Sequence, residues 1–150
     1  MNYADIKIAD VANGEGVRVS LFVSGCNHHC KGCFNAQAWD FNYGKEFTEE
    51  DIERIINELD HPYVSGLSLL GGEPLEYSNQ KGLLPLLKRV KEKRGTIVAI
   101  GGCMMQEQHI TDKIHESYPY TDIIFGTHTL HKFPENLYTI LETRKKKQDV

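Results

Sequence analysis

The chain has 150 residues, with 17 Lys and Arg against 21 Asp and Glu, so its net charge of −4 gives no global field toward nucleic acid or anionic lipid. That length suits a single domain that buries a sizeable core without disulfides. No apolar run approaches the ~18 residues of a membrane span, and the start, Met1-Asn2-Tyr3-Ala4-Asp5, lacks a secretory pattern, so a cytoplasmic protein with no membrane partner is expected.

A first strand is expected near 6–11. Asn13-Gly14-Glu15-Gly16-Val17-Arg18 then reads either as a plain hairpin turn or as a way of bringing Arg18 to the edge of a site further on. Residues 18–24 form a hydrophobic strand, which runs into a cysteine-rich loop. Thr48, with Asp51 three residues later, is a capping-box signature, and Ile52, Ile55, Ile56 and Leu59 follow as one apolar stripe at helical spacing. A short strand over 67–70 ends in Gly71-Gly72-Glu73-Pro74. A helix is expected over 83–91, with Pro85 tolerated in its first turn. A strand over 96–100 ends in Gly101-Gly102-Cys103, and 107–117 is an amphipathic helix through Ile110 and Ile114. A strand over 122–125 ends in Gly126-Thr127-His128, and Phe133, Leu137, Ile140 and Leu141 mark a last helix. The basic residues Lys132 and 144–147 read as a solvated helix face and a frayed tail, with nucleic-acid contact unlikely in so acidic a chain.

Strand and helix alternate throughout, which predicts an α/β fold with a parallel sheet in one domain. In such sheets the functional edge is the carboxyl end of the strands. The cysteine loop, the Gly-Gly-Glu-Pro turn and the Gly-Gly-Cys turn are therefore expected along one rim.

Three of the four cysteines, Cys26, Cys30 and Cys33, lie within Ser24-Gly25-Cys26-Asn27-His28-His29-Cys30-Lys31-Gly32-Cys33-Phe34-Asn35. Such crowding points to metal rather than to a disulfide framework. Three thiolates on one loop suit three corners of a cubic iron–sulfur cluster, leaving the fourth iron open to a small molecule. Two other readings stand beside it. Free cysteines are often simply buried, and zinc would take the three thiolates with His28 or His29 as a closed fourth ligand. Gly71-Gly72-Glu73-Pro74 by itself is a tight turn. Beside an open iron, its exposed backbone and its carboxylate suit an aminoacyl ligand. The seven histidines have no metal spacing: His109 and His115 fall on a helical pattern, and His128 and His131 in or after the fourth rim loop. Cys103 reads as an inert thiol or a stray ligand on the same rim.

With C-x3-C-x2-C followed by Phe34, and Gly-Gly-Glu-Pro after the next strand, the chain resembles the radical S-adenosylmethionine superfamily. More closely, residues 1–93 resemble the activating proteins of anaerobic ribonucleotide reductase, through Asn13 to Arg18, Ser24 to Trp39 and Leu70 to Pro74. That family's later Tyr-Thr-Gly-Tyr-like and Asp-Gly-Arg-Phe-like stretches are missing. Residues 95–150 instead resemble the amino-terminal domain of tRNA methylthiotransferases, through Gly101 to Glu107 and Asp122 to His131. In that family the cysteine of the Gly-Gly-Cys turn is one of three ligands to an auxiliary cluster. The other two have no counterpart here, so Cys103 is an orphan. The chain thus reads as two sequence parts, 1–93 and a grafted strand-helix-strand-helix part over 95–150.

The resemblance implies a partial (β/α) barrel of radical-S-adenosylmethionine type. It implies a 4Fe–4S cluster on Cys26, Cys30 and Cys33, with S-adenosylmethionine against the open iron. The turn Gly71, Gly72, Glu73 and Pro74 would bind the methionine amine, and Gly32, Cys33 and Phe34 would flank the cofactor. The implied reaction is reductive cleavage to methionine and a 5′-deoxyadenosyl radical, which takes hydrogen from a glycine of the reductase large subunit. An electron donor such as flavodoxin is implied with it. Two rivals remain: a zinc or iron–sulfur binding module without catalysis, and a folded hybrid that holds the cluster but does not serve a partner.

Overall fold

The computed structural model describes residues 1–94, 98–102, 108–117, 121–126, 131–143 and 147–149. Its first strand, β1 (Asn2–Asp10), is longer than expected and pairs antiparallel with β2 (Val17–Val23). Val19, Ser20, Leu21 and Val23 are all fully buried, as befits a strand covered on both faces. The two-residue β3 (Lys45–Glu46) pairs with the outer side of β1. Four more strands follow: β4 (Val64–Gly71), β5 (Val98–Gly102), β6 (Ile123–Gly126) and β7 (Lys147–Asp149). The sheet order is β3-β1-β2-β4-β5-β6-β7, and every neighbouring pair from β2 to β7 is parallel. The expected parallel sheet is present as these five strands. The whole is a mixed sheet, because β1 and β3 run against the rest.

Between the parallel strands the chain forms α1 (Glu49–Leu59), α2 (Tyr77–Arg94), α3 (Gln108–Ser117) and α4 (Phe133–Thr143). α1 begins as its sequence signature requires. The Thr48 hydroxyl accepts from the Asp51 N–H, and the Asp51 carboxylate accepts from the Thr48 N–H at 2.9 Å. The other Asp51 oxygen accepts from the Tyr3 hydroxyl at 3.1 Å, joining this cap to β1. Ile52, Ile55, Ile56 and Leu59 are buried in one core with Val19, Leu21 and Val23 of β2, Leu67 and Leu69 of β4 and Leu86 and Val90 of α2. Ile124 of β6 joins that core, while the adjacent Ile123 packs with Ala99 and Ile140 in a second cluster, so β6 is covered on both faces. No helix among the described residues is long and apolar enough to cross a membrane.

Two expectations are corrected, and of the two readings of 13–18 the structure takes the turn. α2 starts at Tyr77, and Pro85 sits in its interior instead of its first turn. An interior proline costs ~3 kcal/mol. Leu83, Leu86, Leu87 and Val90 lie on one face of α2 and are buried, at about 1.5–3 kcal/mol each, so the apolar face prevails. The basic end is not wholly a frayed tail: Lys147–Asp149 pairs in parallel with β6, where charged side chains suit an edge strand. Residues 144–146 lie outside the described residues. Arg18 does not reach toward the cysteine loop. It stands at the opposite end of β2, 4% exposed, with Nε donating to Ser68 Oγ at 2.6 Å and Nη2 to the Leu67 carbonyl at 2.9 Å. Ser68 Oγ in turn donates to the Asn13 carbonyl, so Arg18 fastens the β1–β2 turn to β4.

Thr48→Ala removes an N-cap and is expected to cost about 1 kcal/mol. For a chain of this size that lowers the thermal midpoint by about 2–4 °C, read by circular dichroism. An unchanged midpoint would show that the cap contributes nothing.

Candidate metal centre

The cysteine loop leaves β2 at Ser24, whose N–H donates to the Asn2 carbonyl at 3.0 Å. The backbone then turns under glycine. Gly25 has φ of 99°, and a side chain there would run into the Phe41 ring. The Gly25 N–H donates to the Ala38 carbonyl (2.8 Å) and the Cys26 N–H to the Trp39 carbonyl (3.2 Å). The loop start is thus fastened to a single 3-10 turn, Ala36–Trp39. His29, in the left-handed region at φ 46°, stacks its ring on Trp39 with centroids 4.5 Å apart. Cys33 closes back on the loop through its N–H to the Cys30 carbonyl at 3.1 Å. Cys26 and Cys33 are half-buried, Cys30 is exposed, and all three are free thiols.

The Gly-Gly-Glu-Pro turn meets this loop at the carboxyl ends of β2 and β4, where Val23 pairs with Gly71. The Gly72 N–H donates to the Val23 carbonyl at 2.8 Å, and the Glu73 N–H to the Gly25 carbonyl at 2.9 Å. Backbones approach so closely here that a Cβ on Gly72 would lie 2.6 Å from the Gly25 carbonyl oxygen and 2.9 Å from that of Ala38. Pro74 is buried behind the turn. Glu73 is also buried, with one carboxylate oxygen accepting from the Leu75 N–H at 3.0 Å and the other 3.6 Å from His28 Nε2. Burial pushes the Glu73 carboxyl above its ordinary range, against the pull of the Leu75 N–H and of His28. Burial likewise pushes the Cys26 thiol up. The backbone N–H groups of His28 and His29 oppose that, and the charges of Glu73 and Glu76 add to it.

Three positions that the sequence did not single out complete the site. Glu76 accepts from both the backbone and the side chain of Asn27, at 2.8 and 3.1 Å, and so grips the loop between Cys26 and Cys30. Asn79 is 1% exposed and donates to carbonyls of the loop and of the turn alike. Trp39 anchors the far side. Glu76 and Asn79 are three apart at the start of α2, a same-face spacing legible only once that helix is known to begin at Tyr77.

The predicted positions thus come together: Cys26, Cys30, Gly32 and Cys33 on one loop, and Gly71, Gly72, Glu73 and Pro74 on the turn bonded to it. Gly32 has φ of 81° and faces open space, since a side chain there would meet nothing within 4 Å. Phe34 is fully exposed. The donor set, three thiols on one loop beside open space, fits an iron–sulfur cluster, in which each cysteine would meet a different iron. His28 lies 3.6 Å from Glu73 and His29 stacks on Trp39, so each imidazole has a contact of its own. Gly101 and Gly102 end β5 on the same rim, while Cys103, His128 and the side chain of His115 lie outside the described residues. His109 and His131 are exposed.

Comparison with known proteins agrees with this geometry. The anaerobic ribonucleoside-triphosphate reductase-activating protein of Haemophilus influenzae is 46% identical over 95 residues, 62% of this chain and 61% of that protein. The protein of the same name from Escherichia coli K12 is 42% identical over 93 residues, covering 61% and 60%. That of Enterobacteria phage T4 is 40% identical over 93 residues, covering 62% and 60%. The chain thus spans about three-fifths of the length of the curated relatives it matches. A family model described as a 4Fe-4S single cluster domain matches residues 12–142, a stretch that runs from the β1–β2 turn through α4 and holds all three loop cysteines. On that match, the chain belongs to the 4Fe-4S single cluster domain family.

Proposed function

We propose that this chain is a radical S-adenosylmethionine activating enzyme whose target is a glycyl-radical ribonucleotide reductase. The observation that carries the reading is the joining of the cysteine loop to the Gly-Gly-Glu-Pro turn by the Glu73 N–H on the Gly25 carbonyl, next to the Gly72 N–H on Val23 at the end of β2. A cluster site and an aminoacyl site so joined suit one ligand that spans both. The names of the relatives support the target.

Cys26, Cys30 and Cys33 would hold the 4Fe–4S cluster. When bound, that cluster supplies the electron that cleaves the sulfonium C–S bond of S-adenosylmethionine. The chain's own residues bind and orient. The turn from Gly71 to Pro74 offers backbone groups and the Glu73 carboxylate to the methionine amine. An ammonium beside Glu73 favours its ionised form, against the burial that pushes it up. Gly32 leaves room beside Cys33, and the exposed Phe34 offers a ring face to the cofactor and excludes water from one side. The α/β sheet belongs, on this reading, to a partial barrel of radical-S-adenosylmethionine type, assembled from a 1–93 part and a 95–150 part. The electron comes from a flavodoxin-like donor, and the protein works in the cytoplasm.

Electron paramagnetic resonance on anaerobically reconstituted, reduced protein tests this. A reduced-cluster signal that changes when S-adenosylmethionine is added is expected, and a signal indifferent to it makes the loop a structural metal module. Replacing Cys26, Cys30 or Cys33 with Ala is expected to abolish cofactor cleavage; cleavage retained with an intact cluster would sink the assignment. Gly72→Ala forces two backbone carbonyls away from the turn. It is expected to suppress the response to S-adenosylmethionine at least tenfold while the thiols are untouched. A response as strong as that of the unaltered protein would mean that the close approach at Gly72 is not needed.

A further inference from the structure

We propose that Asn79 is a positioning residue that fixes the spacing between the cluster loop and the turn that takes the aminoacyl group. The inference rests on the function proposed above and goes beyond it to a residue outside both motifs. Asn79 lies in the first turns of α2 and is 1% exposed. Its Nδ2 donates to the Ser24 carbonyl at 2.9 Å, the Glu73 carbonyl at 2.9 Å and, more weakly, the Gly25 carbonyl at 3.4 Å. Ser24 and Gly25 precede Cys26 directly, and Glu73 is the acidic residue of the turn. A single buried amide therefore holds the root of the cysteine loop and the middle of the turn at once.

The three carbonyls do not depend on Asn79 equally. The Gly25 carbonyl also accepts from the Glu73 N–H, and the Glu73 carbonyl also accepts from the Glu76 N–H. These bonds join the same segments, so the amide and the backbone bonds form one closed set. Without the side-chain donor, a carbonyl is left in a water-poor place and is driven to seek another partner. The cheapest escape is movement of the loop root or of the turn, since both are loops at strand ends and the strands behind them are locked by the core. Glu76, three residues earlier, adds an outer tie to Asn27. Asn79 in α2 and Glu76 just before it thereby grip the loop before and after Cys26. None of these contacts touches the reacting atoms, so the role is one of position.

The test compares Asn79→Ala with the unaltered chain in two arms. In the metal-free protein, amide exchange is followed by nuclear magnetic resonance. The Glu73 N–H is expected to exchange about tenfold faster in the variant, while Leu67 and Leu69 in β4 keep their protection. In the reconstituted protein, iron content is expected to match that of the unaltered chain, while the S-adenosylmethionine concentration that half-changes the reduced-cluster signal rises about tenfold. An unchanged Glu73 exchange rate, or an unchanged half-point, overturns the proposal. Equal acceleration of all protected amides overturns it too, since that is general destabilisation. Should Asn79→Ala not fold, Asn79→Leu keeps the side-chain bulk, removes the amide donor without burying a charge and is read by the same criteria. If the unaltered protein does not respond to S-adenosylmethionine, the proposed function falls and this role falls with it. If it responds and the variant responds at the same concentration, only the role of Asn79 falls.

Discussion

Everything at the rim depends on the parallel pairing of β2 with β4. That pairing sets Val23 against Gly71, and from there two backbone bonds, Gly72 to Val23 and Glu73 to Gly25, carry the contact beyond the sheet into the loops. Each such bond is worth only ~1 kcal/mol net. Their effect is geometric: they bring residues some fifty positions apart to backbone contact, and glycine at 72 is what lets the carbonyls come so near. The energy that holds the strands in place comes from elsewhere, from Val19, Leu21 and Val23 packed with Leu67, Leu69 and the stripe of α1. Core packing fixes the strands, the strands fix the register, and the register fixes the site.

The electrostatics of the rim run against a bare cluster loop and in favour of a ligand that carries positive charge. Two carboxylates, Glu73 and Glu76, stand close enough to Cys26 to oppose its ionisation, and its burial acts in the same sense. A metal reverses that balance, since thiolate ligation displaces the proton and supplies the missing positive charge. Beside the Glu76 carboxylate on Asn27 and Glu73 on His28, the loop is shaped by hydrogen bonds to neutral backbone, through Ala38, Trp39 and Asn79.

Features carried by neighbouring residues were legible in the sequence. The capping box at Thr48, the stripe through Ile52 and Leu59 and the strand over 18–24 each depend on local spacing, and the structure forms all three. The cysteine loop and the Gly-Gly-Glu-Pro turn were legible as motifs, and their meeting followed from the rule that functional loops gather at the carboxyl ends of parallel strands. Long-range contacts were not legible. The start of α2 was hidden because Asn79 is buried for its hydrogen bonds and Gly82 lies close to the Met1 side chain, and neither adds to an apolar period. The two readings of Arg18 could not be separated for the same reason: a guanidinium buried on Ser68 and a carbonyl looks in sequence like one free to serve a site. The edge strand at Lys147–Asp149 is polar, and only its partner β6 makes it a strand.

The described residues before and after residue 94 are joined by strand pairing, an ion pair and core packing. β5 pairs with β4, and Lys91 near the end of α2 holds both Asp122 oxygens at 2.6 Å just before β6. Ile114 and Ile124 enter the same core as the cysteine-bearing half. The later part therefore extends the sheet on the side away from β1 and lends apolar surface to the strands that carry the site. It contributes little to the loop contacts themselves, whose described partners, from Asn2 to Asn79, all belong to the first part. Packing errors across the boundary would loosen β5 and β6 before they moved Cys26 or Glu73, because the β2–β4 pair is separately secured by α1 and α2.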